Sequence, residues 1–148
     1  MLFRGRVSRS LDAKGRLVLP PDFREILLAR SEDGQMVLTT YDNCVVGFPY
    51  PDWLRFEASL NKISHPKAPV RNFRRVVIGG AEIMKTDAQG RVRLSRDHLD
   101  YAGINGEAVL MGQGPRFEIW QPARLSSILA ASYEDVADYL EPDVELVF

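Results

Sequence analysis

The sequence predicts an α+β protein with a mainly β core, made from two copies of one unit and carrying helices on its outside. Three observations predict it. Leu11-Asp12-Ala13-Lys14-Gly15-Arg16-Leu17-Val18-Leu19-Pro20 aligns with Thr86-Asp87-Ala88-Gln89-Gly90-Arg91-Val92-Arg93-Leu94-Ser95, coinciding at five of ten positions with an offset of 75. Farther on, Gly34, Val37-Leu38 and Phe48 match Gly106, Val109-Leu110 and Trp120 at an offset of 72. Short strand-like runs bounded by turn residues precede a helical pattern in each copy. Two copies are too few for a solenoid, so an intrachain pseudo-dimer is expected.

The elements follow in order. Residues 2–11 mix Leu2, Phe3, Val7 and Leu11 with arginines, the pattern of a strand with one polar face. Asp12-Ala13-Lys14-Gly15 reads as a type I turn closed by a glycine bulge, with Arg16–Leu19 as the returning strand. Pro20-Pro21 opens a helix with Phe23, Ile26 and Leu27 on one face. In the second copy Ser95 is the N-cap, Leu99 and Ala102 are apolar, and Gly103 is the stop. Met36–Tyr41 and Val45–Phe48 form a hairpin around Asp42-Asn43, matched by Ala108–Gly112 and Arg116–Trp120 around Gln113-Gly114-Pro115. Helical spacing then places Trp53, Phe56, Leu60 and Ile63 on one stripe and Leu125, Ile128, Leu129 and Val136 on another. Between the copies, Pro69 starts a helix whose apolar stripe is Val70, Phe73 and Val77, flanked by Arg71, Arg74 and Arg75 and ended by Gly79-Gly80. The expected organisation is a first unit with its helix over 1–65, a basic linker helix over 66–80, a second unit over 81–132 and an acidic tail over 133–148.

With 148 residues, 45% of them hydrophobic and 26% charged, the chain can bury one core without staples. Cys44 is the one cysteine, which excludes a disulfide scaffold and multi-cysteine metal sites. No signal peptide and no membrane-length apolar run are read, so a cytoplasmic location is expected. The net charge of −1 hides an asymmetry. Residues 1–75 carry 13 basic and 8 acidic side chains, a net +5, whereas residues 76–148 carry 6 basic and 12 acidic, a net −6. Such a split is the mark of a basic contact surface plus an acidic tail, or of solvated faces of different sign.

Enzymatic chemistry finds little support. Nothing in the spacing brings Cys44 to His65 or His98, and a lone cysteine is ordinarily a buried apolar residue. His98, on the predicted Ser95–Ala102 helix, is expected at the surface or partly packed. Gly79-Gly80 lacks the Gly-Lys-Ser/Thr of a phosphate loop, and no cluster has metal-ligand spacing. No catalytic residue, cofactor, metal or small-molecule substrate is assigned.

The repeated Asp-x-x-Gly-Arg turn is the most specific feature. A small rigid tip carrying cations can enter a nucleic-acid groove, where arginine takes phosphate oxygens or the guanine edge. Asp12, Gly15, Asp87 and Gly90 are assigned to turn geometry. Arg16 and Arg91, four residues after each aspartate, are either ion pairs across the turn or contacts to nucleic acid. Lys14 has no duty in the turn and is the better contact candidate. Its counterpart is Gln89, with Arg93 adding a charge nearby, and Arg6 extends the basic set on the preceding strand.

Met1-Leu2-Phe3-Arg4-Gly5, Ser10 through Leu17, Phe23-Arg24-Glu25, Pro51-Asp52-Trp53, the Arg71–Arg75 helix, Gly79-Gly80-Ala81-Glu82 and Asp87 through Arg91 resemble the MraZ family of bacterial transcriptional regulators. The resemblance runs to about Leu129. It implies a pseudo-two-fold double-psi or swapped-hairpin AbrB-like β-barrel with peripheral helices. It also implies a homo-oligomeric ring, about an octamer or larger, that binds double-stranded DNA at direct repeats upstream of the division and cell-wall gene cluster, hence a nucleoid-associated protein. The family's DNA-contacting loop maps onto Lys14 and Arg16, and onto Gln89 and Arg91.

The alternative is an antitoxin-like or other protein-binding module of the same fold. Residues 133–148 mix acids with Tyr139, Leu140, Val144, Leu146, Val147 and Phe148. That composition suits docking on a partner, closing this protein's own oligomer, or shielding the basic face from non-specific DNA.

Overall fold

The computed structural model describes residues 1–131 and 136–147. In chain order the elements are β1 (Arg6–Ser10), β2 (Arg16–Val18), α1 (Pro21–Arg30), β3 (Met36–Tyr41), β4 (Cys44–Pro49), α2 (Tyr50–Asn61), α3 (Ala68–Val77), β5 (Glu82–Met84), β6 (Arg91–Arg93), α4 (Arg96–Ala102), β7 (Glu107–Gly112), β8 (Phe117–Trp120) and α5 (Pro122–Leu129). Short 3₁₀ turns occur at Glu32–Gly34 and Val136–Tyr139. Most boundaries lie where the punctuation places them. Ser95 Oγ accepts from the His98 backbone N–H, and Gly103, at φ 68°, closes α4. Asp42 and Asn43 take positive φ together (53° and 65°), as a two-residue hairpin turn between β3 and β4 requires.

The strands pair across the two copies. A six-stranded antiparallel sheet runs β1-β7-β8-β4-β3-β5, and a two-stranded one joins β2 to β6. β1 of the first copy pairs with β7 of the second, and β5 of the second pairs with β3 of the first. Registers agree as well: Val7 opposes Leu110, and the equivalent Glu82 opposes Leu38. At the centre Val46 opposes its own counterpart Glu118, and Leu17 opposes its counterpart Val92. The pseudo-two-fold axis therefore passes between these pairs. The expected return of Arg16–Leu19 onto residues 2–11 is not a ladder: β1 pairs with β7 and β2 with β6 rather than with each other. The exchange pairs strands too short to stand alone and joins the two copies into one core.

Phe3, Phe23 and Phe117 meet at its centre with ring centroids 5.2–5.5 Å apart. Around them Leu17, Leu19, Val92 and Leu94 alternate with the exposed residues of the small sheet, as period-two strands dictate. Each buried ring or branched side chain contributes about 1.5–3 kcal/mol by leaving water. A second cluster (Val37, Trp53 and Val77, with Phe48, Phe56 and Phe73) lies beneath α2 and α3, and a third (Cys44, Val46, Trp120 and Leu125) lies beneath α5.

Several expectations are corrected. Ile63 lies beyond α2 and is exposed, and so are Ile128 and Val136, the latter in a 3₁₀ turn separate from α5. Arg74, expected beside the apolar stripe of α3, donates through Nη2 to the carbonyls of Leu60 (2.7 Å) and Ile63 (3.1 Å), satisfying the C-terminal end of α2. His98 is 1% exposed rather than superficial. Its Nε2 donates to the Gly80 carbonyl at 2.7 Å, tying α4 to the segment after α3. Residue 132 and, of the predicted tail, residues 133–135 and Phe148 lie outside the described residues.

Candidate nucleic-acid interface

The two Asp-x-x-Gly-Arg turns are built alike. In the first, the Asp12 backbone carbonyl accepts from Gly15 N–H (3.0 Å) and the Asp12 N–H donates to the Arg16 carbonyl (2.9 Å). The Asp12 carboxylate closes the loop from within: Oδ1 accepts from the backbone N–H groups of Lys14 and Arg16, both at 2.9 Å, and Oδ2 accepts from Arg16 Nε at 2.7 Å. Asp87 repeats this with Gln89 N–H (3.0 Å), Arg91 N–H (2.9 Å) and Arg91 Nε (2.7 Å). Asp serves because its short acceptor reaches donors two and four residues on. Glycine serves at Gly15 and Gly90 because both sit in the left-handed region, at φ 79° and 77°. Donation from the Arg16 backbone, aided by its guanidinium and the Lys14 N–H, holds the Asp12 carboxyl down at about 2. Asp87 is lowered in the same way by Arg91 and Gln89.

The β2–β6 pairing brings the turns side by side. Leu94 N–H donates to the Gly15 carbonyl and Leu19 N–H to the Gly90 carbonyl, each at 2.9 Å. Arg16 lies directly opposite Arg93. Like charges facing each other across a strand pair oppose folding, a cost that the ion pair of Arg16 with Asp12 offsets. Arg93 Nε donates to the Lys14 carbonyl at 3.2 Å and braces the first turn. Both readings of the repeated arginines thus start from an ion pair within the turn.

The second turn consumes its own donors. Arg91 gives Nε to Asp87, its Nη2 donates to Gln89 Oε1 at 3.2 Å, and its Nη1 lies 4.0 Å from Asp12 Oδ2. That contact occupies Gln89 Oε1, while its exposed Nε2 meets no acceptor among the described residues. Arg16 gives only Nε to Asp12, and among the described residues neither its Nη groups nor the exposed Lys14 ammonium meets a side-chain or backbone acceptor. The loops are alike in backbone and unlike in available cations.

A shallow surface groove of about 720 Å³ beside the small sheet is lined by Arg16, Arg91, Arg93, Lys85 and Arg96, against the acids Glu82 and Asp87. Lys85 and Arg96 were not singled out by the turn motif. Nor was Arg9, whose Nε donates to the Val18 carbonyl at 3.0 Å and so lies against β2. The clustering of arginines in the first 24 residues was the available signal for Arg9. Arg6 is not brought to the turns: it opens β1 opposite Met111, about 10 Å farther along the strand than Arg9.

The groups that sequence raised for catalysis have structural surroundings. Cys44 is buried beside Trp120 and Leu125, and burial pushes its thiol well above the usual range. His98 Nε2 is committed to Gly80 and His65 is exposed. Among the described residues no group of three or more His, Cys, Asp or Glu could hold a metal, and no helix is long and apolar enough to cross a membrane.

Comparison with known proteins adds the family. The family model described as "MraZ protein, putative antitoxin-like" matches twice, over residues 2–76 and 77–142, which places the duplication seam at the end of α3 and extends the match past Leu129. The chain is 56% identical to a protein named transcriptional regulator MraZ from Nitratidesulfovibrio vulgaris (strain Hildenborough), covering all of both chains. It is 50% identical to one of the same name from Oleidesulfovibrio alaskensis, over 95% of this chain and 94% of that one. A more distant relative from Nitrosomonas europaea is 35% identical over 90% and 92%. Two matching copies, full-length relatives and the doubled turn agree that the chain belongs to the MraZ family.

Proposed function

We propose that the protein is a sequence-specific DNA-binding transcriptional regulator, and that the first turn is its principal contact. The observation that carries this reading is the uncommitted charge at that turn: Lys14 and the Nη groups of Arg16 on a loop whose backbone Asp12 holds rigid. A preorganised tip loses little entropy on entering a groove. Arg16 suits the guanine edge, for which a bidentate contact discriminates by about 1–3 kcal/mol, while Lys14 suits phosphate. Arg93, Arg9, Lys85 and Arg96 flank it as phosphate contacts, and Gln89 and Arg91 hold the second turn in place. Arg6 contributes from the periphery.

The crossed strand pairing supports a swapped-hairpin AbrB-like barrel, with the two turns at one end beside the pseudo-axis. One such barrel offers few free cations, and affinity at cellular salt scales with phosphates neutralised. A homo-oligomeric ring presenting several copies of the first turn to direct repeats gains by effective concentration. The relatives' shared name supports transcription as the process. The DNA upstream of the division and cell-wall gene cluster is the proposed target, and the cytoplasm, at the nucleoid, the proposed location. Fluorescence anisotropy with a duplex from that upstream region tests the reading: tight, strongly salt-dependent binding is expected, and equal affinity for a scrambled duplex removes sequence specificity.

A further inference from the structure

The face formed by α2, α3 and their connecting loop is not used by the turns. From Ala58 to Ala81 the chain carries Lys62, Lys67, Arg71, Arg74 and Arg75 and no acid. Arg74 caps α2, but Lys62, Lys67, Arg71 and Arg75 are exposed, and among the described residues no carboxylate pairs with any of them. Between these helices and the strands β3, β4 and β8 lies a cavity of about 220 Å³. Val46, Phe48, Phe56 and Phe73 make it apolar. At its edge stands exposed Arg116, its guanidinium 5.6 Å from the Phe48 ring centroid and with no acid paired to it among the described residues. Glu118, also at the cavity, is engaged by Trp120 Nε1 at 2.9 Å. The volume is below the about 300–1,000 Å³ of small-molecule sites and suits one apolar side chain.

The C-terminal segment has the complementary chemistry. No cation follows Arg124, and Asp138, Glu141, Asp143 and Glu145 are interleaved with apolar residues. Val144, Leu146 and Val147 are exposed at 46%, 65% and 90%. Residues 140–147 form no helix or strand; the Val144 N–H closes one turn on the Glu141 carbonyl at 3.0 Å, and with that turn opened the segment reaches about 26 Å. Extended, Asp143 and Glu145 fall on one face and Val144 and Leu146 on the other. None of the chain's own residues 136–147 lines the cavity.

We propose that the C-terminal segment of one copy docks on the α2–α3 face of a second copy, with Leu146 seated in the cavity and Asp143 and Glu145 facing Arg116 and the arginines of α3. The proposal rests on the homo-oligomeric reading above and gives that assembly a specific clasp. It also separates two cationic surfaces, one for DNA at the first turn and one for the neighbour's tail. Double-stranded nucleic acid presents mainly phosphates to such a face, whereas the tail carries apolar residues for the cavity and acids for the cations in one segment, so the tail fits it better.

The test uses the full chain with the photo-crosslinking residue benzoylphenylalanine in place of Leu146, irradiated in its native assembly. A cross-linked band of twice the chain mass on a denaturing gel, mapped to peptides holding Phe48, Phe56 or Phe73, is expected. Arg116→Glu and Glu145→Arg each lower its yield by at least about fivefold, and the double variant restores it. A cross-link within one chain, or to another surface, overturns the docking while an oligomeric mass by light scattering leaves the assembly standing. A monomeric mass overturns both. If charge reversal at Arg71 and Arg75 instead weakens DNA binding equally with and without residues 132–148, the face belongs to nucleic acid and the docking is wrong.

Discussion

Arg91 Nη1 lies 4.0 Å from the Oδ2 of Asp12, so the arginine of the second turn faces the carboxylate that organises the first. The two turns are coupled through this contact and through the Gly15 and Gly90 carbonyls, which accept from the Leu94 and Leu19 N–H groups. Arg91→Ala is therefore expected to disturb the first turn as well, shifting the backbone amide resonances of Lys14 and Arg16 in a ¹⁵N–¹H spectrum. Its effect on DNA affinity is expected below that of Arg16→Ala by about tenfold, because Arg91 holds geometry whereas Arg16 reaches outward. Equal losses from both variants contradict that division of labour.

The Asp12 carboxyl sets the acid limit of the turn. Its folded-state value, about 2, lies below the ordinary 3.8, so its contribution is present above the ordinary value and is lost as pH falls through the folded one. The Lys14 and Arg16 amide shifts are expected to stay constant from neutral pH down to about 4 and to titrate only near 2. A midpoint near the ordinary value contradicts the hydrogen-bonded turn. Asp12→Asn keeps the shape but weakens acceptance from Arg16 Nε, and is expected to loosen the tip.

Backbone geometry at the seam gives a stability prediction. A Cβ on Gly15 would meet the Leu94 carbonyl oxygen at 2.7 Å, at a φ of +79° that side chains rarely adopt. Gly15→Ala is expected to lower stability by about 1–3 kcal/mol in thermal unfolding. Gly47, opposite Phe117 in the sheet, has that ring against its Cα, so Gly47→Ala displaces one of the three central phenylalanines. A loss of about 1–3 kcal/mol is expected there too. An unchanged melting temperature in either variant contradicts the packing described.

Cys44 is expected to resist thiol reagents in the folded state. Its side chain is buried and its thiol is held protonated, so a maleimide should label it only on unfolding. Stoichiometric labelling of the native protein at neutral pH contradicts its burial beneath α5.

The turns were legible because their chemistry is local. Asp at one position, Gly three on and Arg four on suffice to specify the loop, and the repeat showed that it occurs twice. The exchange of strands was less legible, since a period-two pattern says which face of a strand is buried and not which strand lies beside it. For Arg74 the sequence shows only a charge beside the α3 stripe, because nothing in it reveals that the carbonyls at the end of α2 fall within reach. His98 was misplaced for a similar reason: its acceptor, the Gly80 carbonyl, lies 18 residues away. The unequal commitment of Arg16 and Arg91 comes in part from one difference, Lys14 against Gln89, and in part from the approach of Arg91 Nη1 to Asp12, and both need side-chain geometry to appear.

In the function proposed above, the first turn, and Arg16 above all, reads DNA. The most direct measurement is equilibrium binding of a duplex holding the proposed direct repeats, by anisotropy at several salt concentrations, for the native protein and Arg16→Ala. A loss of about ten- to a hundredfold is expected for Arg16→Ala, with an unchanged oligomeric mass. Lys14→Ala, measured alongside, should reduce the salt slope by about one per contacted phosphate. Repeat binding by Arg16→Ala equal to that of the native protein, with the same mass, would contradict this role of the turn.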